Sequence, residues 1–151
     1  MSVGTASVSA QTNQLSKTVY YTGTDTLKTG YALCYDHDAT AGKAKENRGQ
    51  AVEKPSTNNL IYFAGFVAPE SNGLKGPGFC RVLPNGFRSD YVDVYIEDDL
   101  SAAAINSPGS PLYTHNNTYA VNTTAAAGNQ VALIAEPKNG TGGTTTKAWN
   151  I

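Results

Sequence analysis

The chain is short of the residues that usually carry chemistry. Among 151 residues there are two cysteines (Cys34, Cys80), two histidines (His37, His115), one Trp and one Met. Charged residues make up 15%, where about 25% is usual. Two cysteines cannot build the disulfide framework of a small secreted domain, and neither stands in a CxxC or CxxH spacing. Each sits in an apolar run, Ala32-Leu33-Cys34-Tyr35 and Phe79-Cys80-Arg81-Val82, where a thiol packs as a small buried hydrophobe. Free thiols are the expectation and a cross-strand disulfide the alternative. The formal charge is −1 and no Lys/Arg cluster occurs, so no basic field is available to hold the phosphates of nucleic acid or anionic lipid. No run approaches the ~20 apolar residues of a membrane span. The start, MSVGTASVSAQTNQLSK, lacks the basic opening and apolar stretch of a secretory signal. The expectation is a protein made in the cytosol, with neither nucleic acid nor membrane as partner.

What the chain has in quantity is Thr, Ser, Asn, Gly and Ala, together with nine tyrosines. That is the composition of extended β proteins with many turns. A domain of this length buries roughly 70% of the surface its unfolded chain exposes, so one core is expected. YVDVYIE (91–97) alternates, with Val92, Val94 and Ile96 on one face and Asp93, Tyr95 and Glu97 on the other, the period of a half-buried strand. LIYFAGFVA (60–68), FCRVL (79–83) and QVALIAE (130–136) are short β-prone runs bounded by Pro, Gly and Asn. Asn-Gly steps at 72–73, 85–86 and 139–140 supply the positive φ that tight turns demand. One short helix is predicted over DDLSAAAIN (98–106), where acidic residues suit an N-cap and first turn ahead of a run of Ala. The fold class that follows is mostly β: a small barrel- or sandwich-like body with at most one short helix.

By composition the body spans 18–137, preceded by an arm (1–17) and followed by a tail (138–151). Beyond Met1, the large apolar side chains of the arm are Val3, Val8 and Leu15, and its first 16 residues carry no charge. So little apolar surface does not offset ordering entropy, which predicts an arm mobile in the free protein or simply a disordered end. KNGTGGTTTKAWNI is a flexible Gly/Thr tail by composition, yet it ends in Trp149 and Ile151. Because Trp buries on the order of 200 Å² when docked, this tip is expected to pack on the barrel, on a neighbouring subunit or on a partner. An internal echo is also present. TGYALCY (29–35) and PGSPLYT (108–114) share a Gly followed by an inward Leu, and each precedes an Ala-punctuated strand ending in a carboxylate, AGFVAPE and VALIAEP. Two related β units closing one barrel or sandwich would produce it, and so would chance.

The densest chemistry is in TGYALCYDHD (29–38), which places Cys34, Asp36, His37 and Asp38 within five positions. Alternation puts Leu33 and Tyr35 on one face and Cys34 with Asp36 on the other, and His37 and Asp38 fall where the chain turns. Zinc would need three or four convergent ligands with recognisable spacing, and the other histidine, His115, lies in a separate loop. Cys34 and His37 are close in sequence, but a catalytic couple must meet in space and be oriented by a third group. No GxSxG, HExxH or phosphate-cradling Gly loop occurs. Asp98-Asp99 reads as a solvated N-cap in preference to a glycosidase pair, and the Asn-x-Ser/Thr triplets at Asn116, Asn122 and Asn139 are expected by chance in so Asn- and Thr-rich a chain. The reading is of no enzyme, no metal and no cofactor.

The segments YYTGTDTLKTGYALCYD, NNLIYFAGFVAPES, GPGFCRVLP, YVDVYIEDDL and PGSPLYTHNNTYAV with GNQVALIAEP together resemble the capsid decoration, or cement, proteins of tailed bacteriophages. The resemblance covers roughly residues 19–137 and rests on the order of elements rather than on an invariant motif. It implies a β-rich structural protein on the outer capsid surface of the virion, with the major capsid protein and its own copies, as a homotrimer, for partners. It also gives the arm a role, since an uncharged extended segment adds well to an exposed sheet edge. Val3, Val8, Leu15, Trp149 and Ile151 are then the candidate capsid- and subunit-binding residues. The alternative reading is a carbohydrate-binding or adhesion module displayed on a virion or cell surface, with exposed Tyr and the single Trp stacking on sugar rings. A small hydrolase using His37 or His115 is the third.

Overall fold

The structure, a computed structural model, describes residues 16–38, 46, 49–84, 91–96, 108–123, 128–136 and 144–150. Ten strands run through them: β1 (Lys17–Tyr21), β2 (Ala32–Tyr35), β3 (Ala51–Glu53), β4 (Phe63–Val67), β5 (Gly78–Leu83), β6 (Tyr91–Ile96), β7 (Pro111–Thr114), β8 (Val121–Asn122), β9 (Gln130–Glu136) and β10 (Thr144–Asn150). A 3-10 turn, Pro69–Ser71, follows β4. The protein is mostly β, as its composition requires, and the alternation of β6 is realised: Val92, Val94 and Ile96 are buried while Tyr91 on the opposite face is exposed. The helix expected over 98–106 lies outside the described residues, as do the arm residues Val3, Val8 and Leu15.

The strands close two barrels in succession. The first runs β1-β3-β2-β4-β5 and the second β6-β8-β7-β9-β10, each closing on itself. Both contain one parallel pair, β1 with β3 and β6 with β8, and are otherwise antiparallel. The registers superpose residue for residue. Leu33 faces Gly65 and Leu112 faces Ala132; Val67 faces Val82 and Ile134 faces Ala148; Tyr35 faces Val52 and Thr114 faces Val121. One bulge is shared, at Leu33/Cys34 and at Leu112/Tyr113, the kink that lets a short strand turn a tight barrel corner, while the second barrel adds another at Lys147/Ala148. The echo in the sequence is therefore a structural repeat. Its units do not combine into one barrel, because each has the five strands that suffice to close its own.

Two further expectations are corrected. Residues 144–150 are not a tail but β10, which pairs along β6 from Thr144↔Ile96 to Trp149↔Tyr91 and with β9 on its other side. Three consecutive β-branched Thr and an alternating KAW outweigh the Gly residues before them, because pleated, half-buried surfaces favour such side chains. Lys17, assigned to the arm, opens β1. The body thus extends through 150 and contains two barrels.

The cores follow the repeat. Val19, Tyr21, Leu33, Val52, Ala64, Val67 and Val82 in the first barrel stand where Val94, Ile96, Leu112, Val121, Val131, Ile134 and Ala148 stand in the second, all buried. Each large aliphatic side chain so enclosed contributes about 1.5–3 kcal/mol. Ala32 and Phe66 come from the first barrel but pack in the second barrel's cluster, so the two cores share a wall.

The joint between the barrels is asymmetric. In the first, the Tyr20 N–H donates to the Gln50 carbonyl (2.9 Å) and seals β1 against the residue leading into β3. In the second, the equivalent Tyr95 N–H and Tyr119 carbonyl do not meet. Gly30 and Ala32 enter between them, with Tyr95 N–H donating to the Gly30 carbonyl (2.9 Å) and Ala32 N–H to the Tyr119 carbonyl (2.9 Å). Gly30 adopts φ +86°, and a Cβ there would lie 2.9 Å from the Asp93 carbonyl oxygen, so only glycine lets the backbones approach this closely. The Asn117 N–H to Pro55 carbonyl bond (2.8 Å) and the Thr114 Oγ1 to Leu60 carbonyl bond (2.9 Å) extend the joint.

Candidate functional site

The cluster in TGYALCYDHD does not converge. Cys34 is fully buried on β2; burial, followed by the charge of Glu53, pushes its thiol up to about 12. Burial likewise raises Cys80 to about 11. Both cysteines are free, and thiols held protonated at neutral pH are poor nucleophiles. His37 is exposed at the chain turn, with Nε2 3.4 Å from Asp38 Oδ1 and its ring 4.9 Å from that of Tyr62. Glu53, raised by burial and then by Asp36, accepts a hydrogen bond from Asn59 Nδ2 (2.6 Å). Among the described residues no group of three or more His, Cys, Asp and Glu gathers as a metal site. Asp98 and Asp99 lie outside the described residues.

What the fold does bring together is tyrosine. Tyr119, from the loop before β8, donates its hydroxyl hydrogen to Asp25 Oδ2 (2.7 Å) and shares a short hydrogen bond with the Tyr21 hydroxyl. Its ring stacks on Tyr31 (4.6 Å, 5° between planes), and Tyr31 meets Tyr95 edge-on (5.0 Å, 71°). Lys54 Nζ lies 5.3 Å from the Tyr119 ring centroid and 3.9 Å from Asp25. Burial, then the hydrogen bonds with Tyr21 and Asp25, hold the Tyr119 phenol well above the usual range. The cluster spans the joint between barrels, with Tyr21, Asp25, Tyr31 and Lys54 from one side and Tyr95 and Tyr119 from the other. Its residues are scattered through the chain, and no local motif signals it.

Among the described residues, the exposed large hydrophobics are Ile61, Tyr62, Phe79 and Tyr91. Phe79 leans edge-on against Tyr20 (5.2 Å, 77°). Tyr91 stacks with Trp149 (6.0 Å between centroids, 30°), because the two are cross-strand partners on the outer face of β6 and β10. Trp149 thus packs on its own barrel, one of the three placements expected for it. Ile151, Val3, Val8 and Leu15 are outside the described residues. Beside the Tyr91/Trp149 pair a cleft of ≈ 360 Å³ opens between the barrels. The outer face of β6 and β10 forms one wall, where Lys147 Nζ and Asp93 Oδ1 pair at 2.7 Å, and the 3-10 turn with Pro69 and Glu70 forms the other. Alternation in YVDVYIE places Tyr91 on the Asp93 face, so that signal was legible; the cleft itself needed the joint. No protein-family model and no curated protein matches the chain.

Proposed function

We propose that this protein is a structural subunit that binds the outer surface of an assembled phage capsid and bridges neighbouring capsomers as a homotrimer. The observation that carries the reading is the body itself: two closed barrels joined by main-chain hydrogen bonds and a shared core wall. Closed barrels leave no open sheet edge to pair at random, and a joint of this kind suits a rigid spacer under load. Exposed Ile61, Tyr62 and Phe79 offer anchors of the type that dominate contact surfaces. In this reading the first fifteen residues, with Val3, Val8 and Leu15, lie along the capsid or a neighbouring copy, and contacts repeated around a symmetric trimer add as avidity.

The test uses heads assembled from the cognate major capsid protein. The full chain should co-sediment with expanded heads to saturation, and cryo-microscopy should place it at threefold or quasi-threefold points. Deleting residues 1–15, which spares the Ser16 hydroxyl bonded to Arg81 (2.6 Å), should leave the barrels folded and weaken binding at least about tenfold. Failure of the full chain to bind heads overturns the reading; equal binding by the truncated chain overturns the role of the arm.

A further inference from the structure

The repeat supplies an internal control for the cleft. Each position of one barrel has a counterpart in the other that satisfies the same backbone, so a residue the fold does not need stands out by comparison. Carried one step beyond Lys17↔Val82 and Val92↔Ala148, the registers make Ser16 the counterpart of Tyr91 and Leu83 the counterpart of Trp149. The first barrel closes with a small polar residue and an aliphatic one. The second places two stacked aromatic rings there, and Tyr91 is left 57% exposed. The next cross-strand pair differs too: Arg81 donates from Nη1 to the neutral Thr18 hydroxyl across the strands (3.2 Å) and meets its carboxylate, Glu70, from the 3-10 turn (3.8 Å), whereas Lys147 finds its carboxylate in the cross-strand Asp93. Barrel closure explains neither replacement.

From this we infer that the cleft between the barrels is a binding site for a neutral glycan, with the Tyr91 ring as its platform. A pyranose presents an apolar face of C–H groups and a rim of hydroxyls. An exposed ring with its negative π face toward solvent meets the first, and carboxylates and an ammonium group meet the second with charge-assisted hydrogen bonds. The cleft provides both. Tyr91 is backed and held by Trp149, Asp93 and Lys147 follow along the same sheet face, and Glu70 stands on the opposite wall. The volume of ≈ 360 Å³ falls at the small end of ligand sites, about 300–1,000 Å³, the scale of one or two sugar rings. Both carboxylates of the cleft are paired, Asp93 with Lys147 (2.7 Å) and Glu70 with Arg81 Nε (3.8 Å), so the charges on its walls are compensated and suit a neutral ligand better than an anionic one. The site goes beyond the capsid reading and stands or falls independently of it.

The chain carries its own reporter, since Trp149 is the single Trp and lies directly behind the platform. The experiment screens the full-length protein on an array of neutral, sialylated and sulfated glycans. The best neutral oligosaccharide is then titrated while Trp149 fluorescence is followed. The expected result is saturable binding of a neutral glycan with a change in Trp149 emission. Tyr91→Ser, which installs the first barrel's residue, should weaken it at least about tenfold with an unchanged melting temperature, while Tyr91→Phe retains it. Asp93→Asn supplies a second loss variant should Tyr91→Ser prove unstable. The inference is overturned if no neutral glycan binds, if only the sialylated or sulfated arms bind, or if a neutral glycan binds equally to Tyr91→Ser and Asp93→Asn. Because the readout needs no capsid, failure here leaves the head-binding test untouched, and the reverse also holds.

Discussion

At the scale of single residues, environment has overridden residue type. Cys34 and Cys80 are the chain's thiols, and burial has removed their reactivity by raising them to about 12 and about 11. At pH 8 the folded protein should therefore resist a thiol-disulfide reagent such as DTNB, and both thiols should titrate at once when urea unfolds it; rapid labelling of the native state would contradict their burial. Tyr119 is the opposite case, an ordinary residue made special by its partners. Tyr119→Phe removes the hydroxyl bonded to Asp25 and Tyr21 and should cost about 1–3 kcal/mol, the penalty for unpaired, partly buried acceptors and donors, read by urea denaturation. Its pH dependence has a definite sign. The folded phenol lies above its usual value of 10.0, so its contribution is fully present below pH 10.0 and is lost as pH rises further, because only the unfolded chain releases that proton readily. Wild type should lose stability steeply in that alkaline range, and Tyr119→Phe should flatten the loss.

At the scale of elements, the repeat separates what a strand needs from what the joint needs. Gly30 and Gly109 occupy equivalent places with φ +86° and +85°, but a Cβ meets the Asp93 backbone at the first and nothing at the second. Gly109→Ala should therefore cost only the left-handed backbone penalty, about 1–2 kcal/mol. Gly30→Ala should cost clearly more, since the backbones of two barrels must part as well, and thermal melts of the two variants side by side check it. Pro111, the counterpart of Ala32, has no N–H to offer, so the second barrel could not insert into another barrel through that bond as the first does. Strands such as β6 and β9 were legible because alternation and β-branched runs encode burial locally. The closing strand β10 was masked by the glycines preceding it, although Thr144–Thr146 carried the propensity.

At the scale of the molecule, Phe66 ties the barrels into one unit. It belongs to β4 of the first barrel and is buried in the second barrel's cluster, 4.9 Å from Phe63. Phe66→Ala should cost about 3–5 kcal/mol, and Trp149 fluorescence, which reports on the second barrel, should shift its urea midpoint together with far-UV circular dichroism. A first barrel that lost stability while the Trp149 transition stayed in place would show two independent domains instead. Shape on this scale is also what gives the proposed capsid role and the proposed glycan cleft their physical basis, the one in the stiffness of the joint and the other in the gap beside it.

The sequence by itself determined the β class, the inward residues of the main strands and the burial of both cysteines. Each of these depends on neighbours two to ten positions away, which is the range of pleating and turn chemistry. Tertiary structure alone decided that each repeat closes separately, that Gly30 to Ala32 opens one barrel to join the other, that six residues from Tyr21 to Tyr119 form one cluster, and that Tyr91 stands over a cleft. Those outcomes turn on pairings between residues up to 98 positions apart, which are set by how whole barrels pack and not by any local pattern.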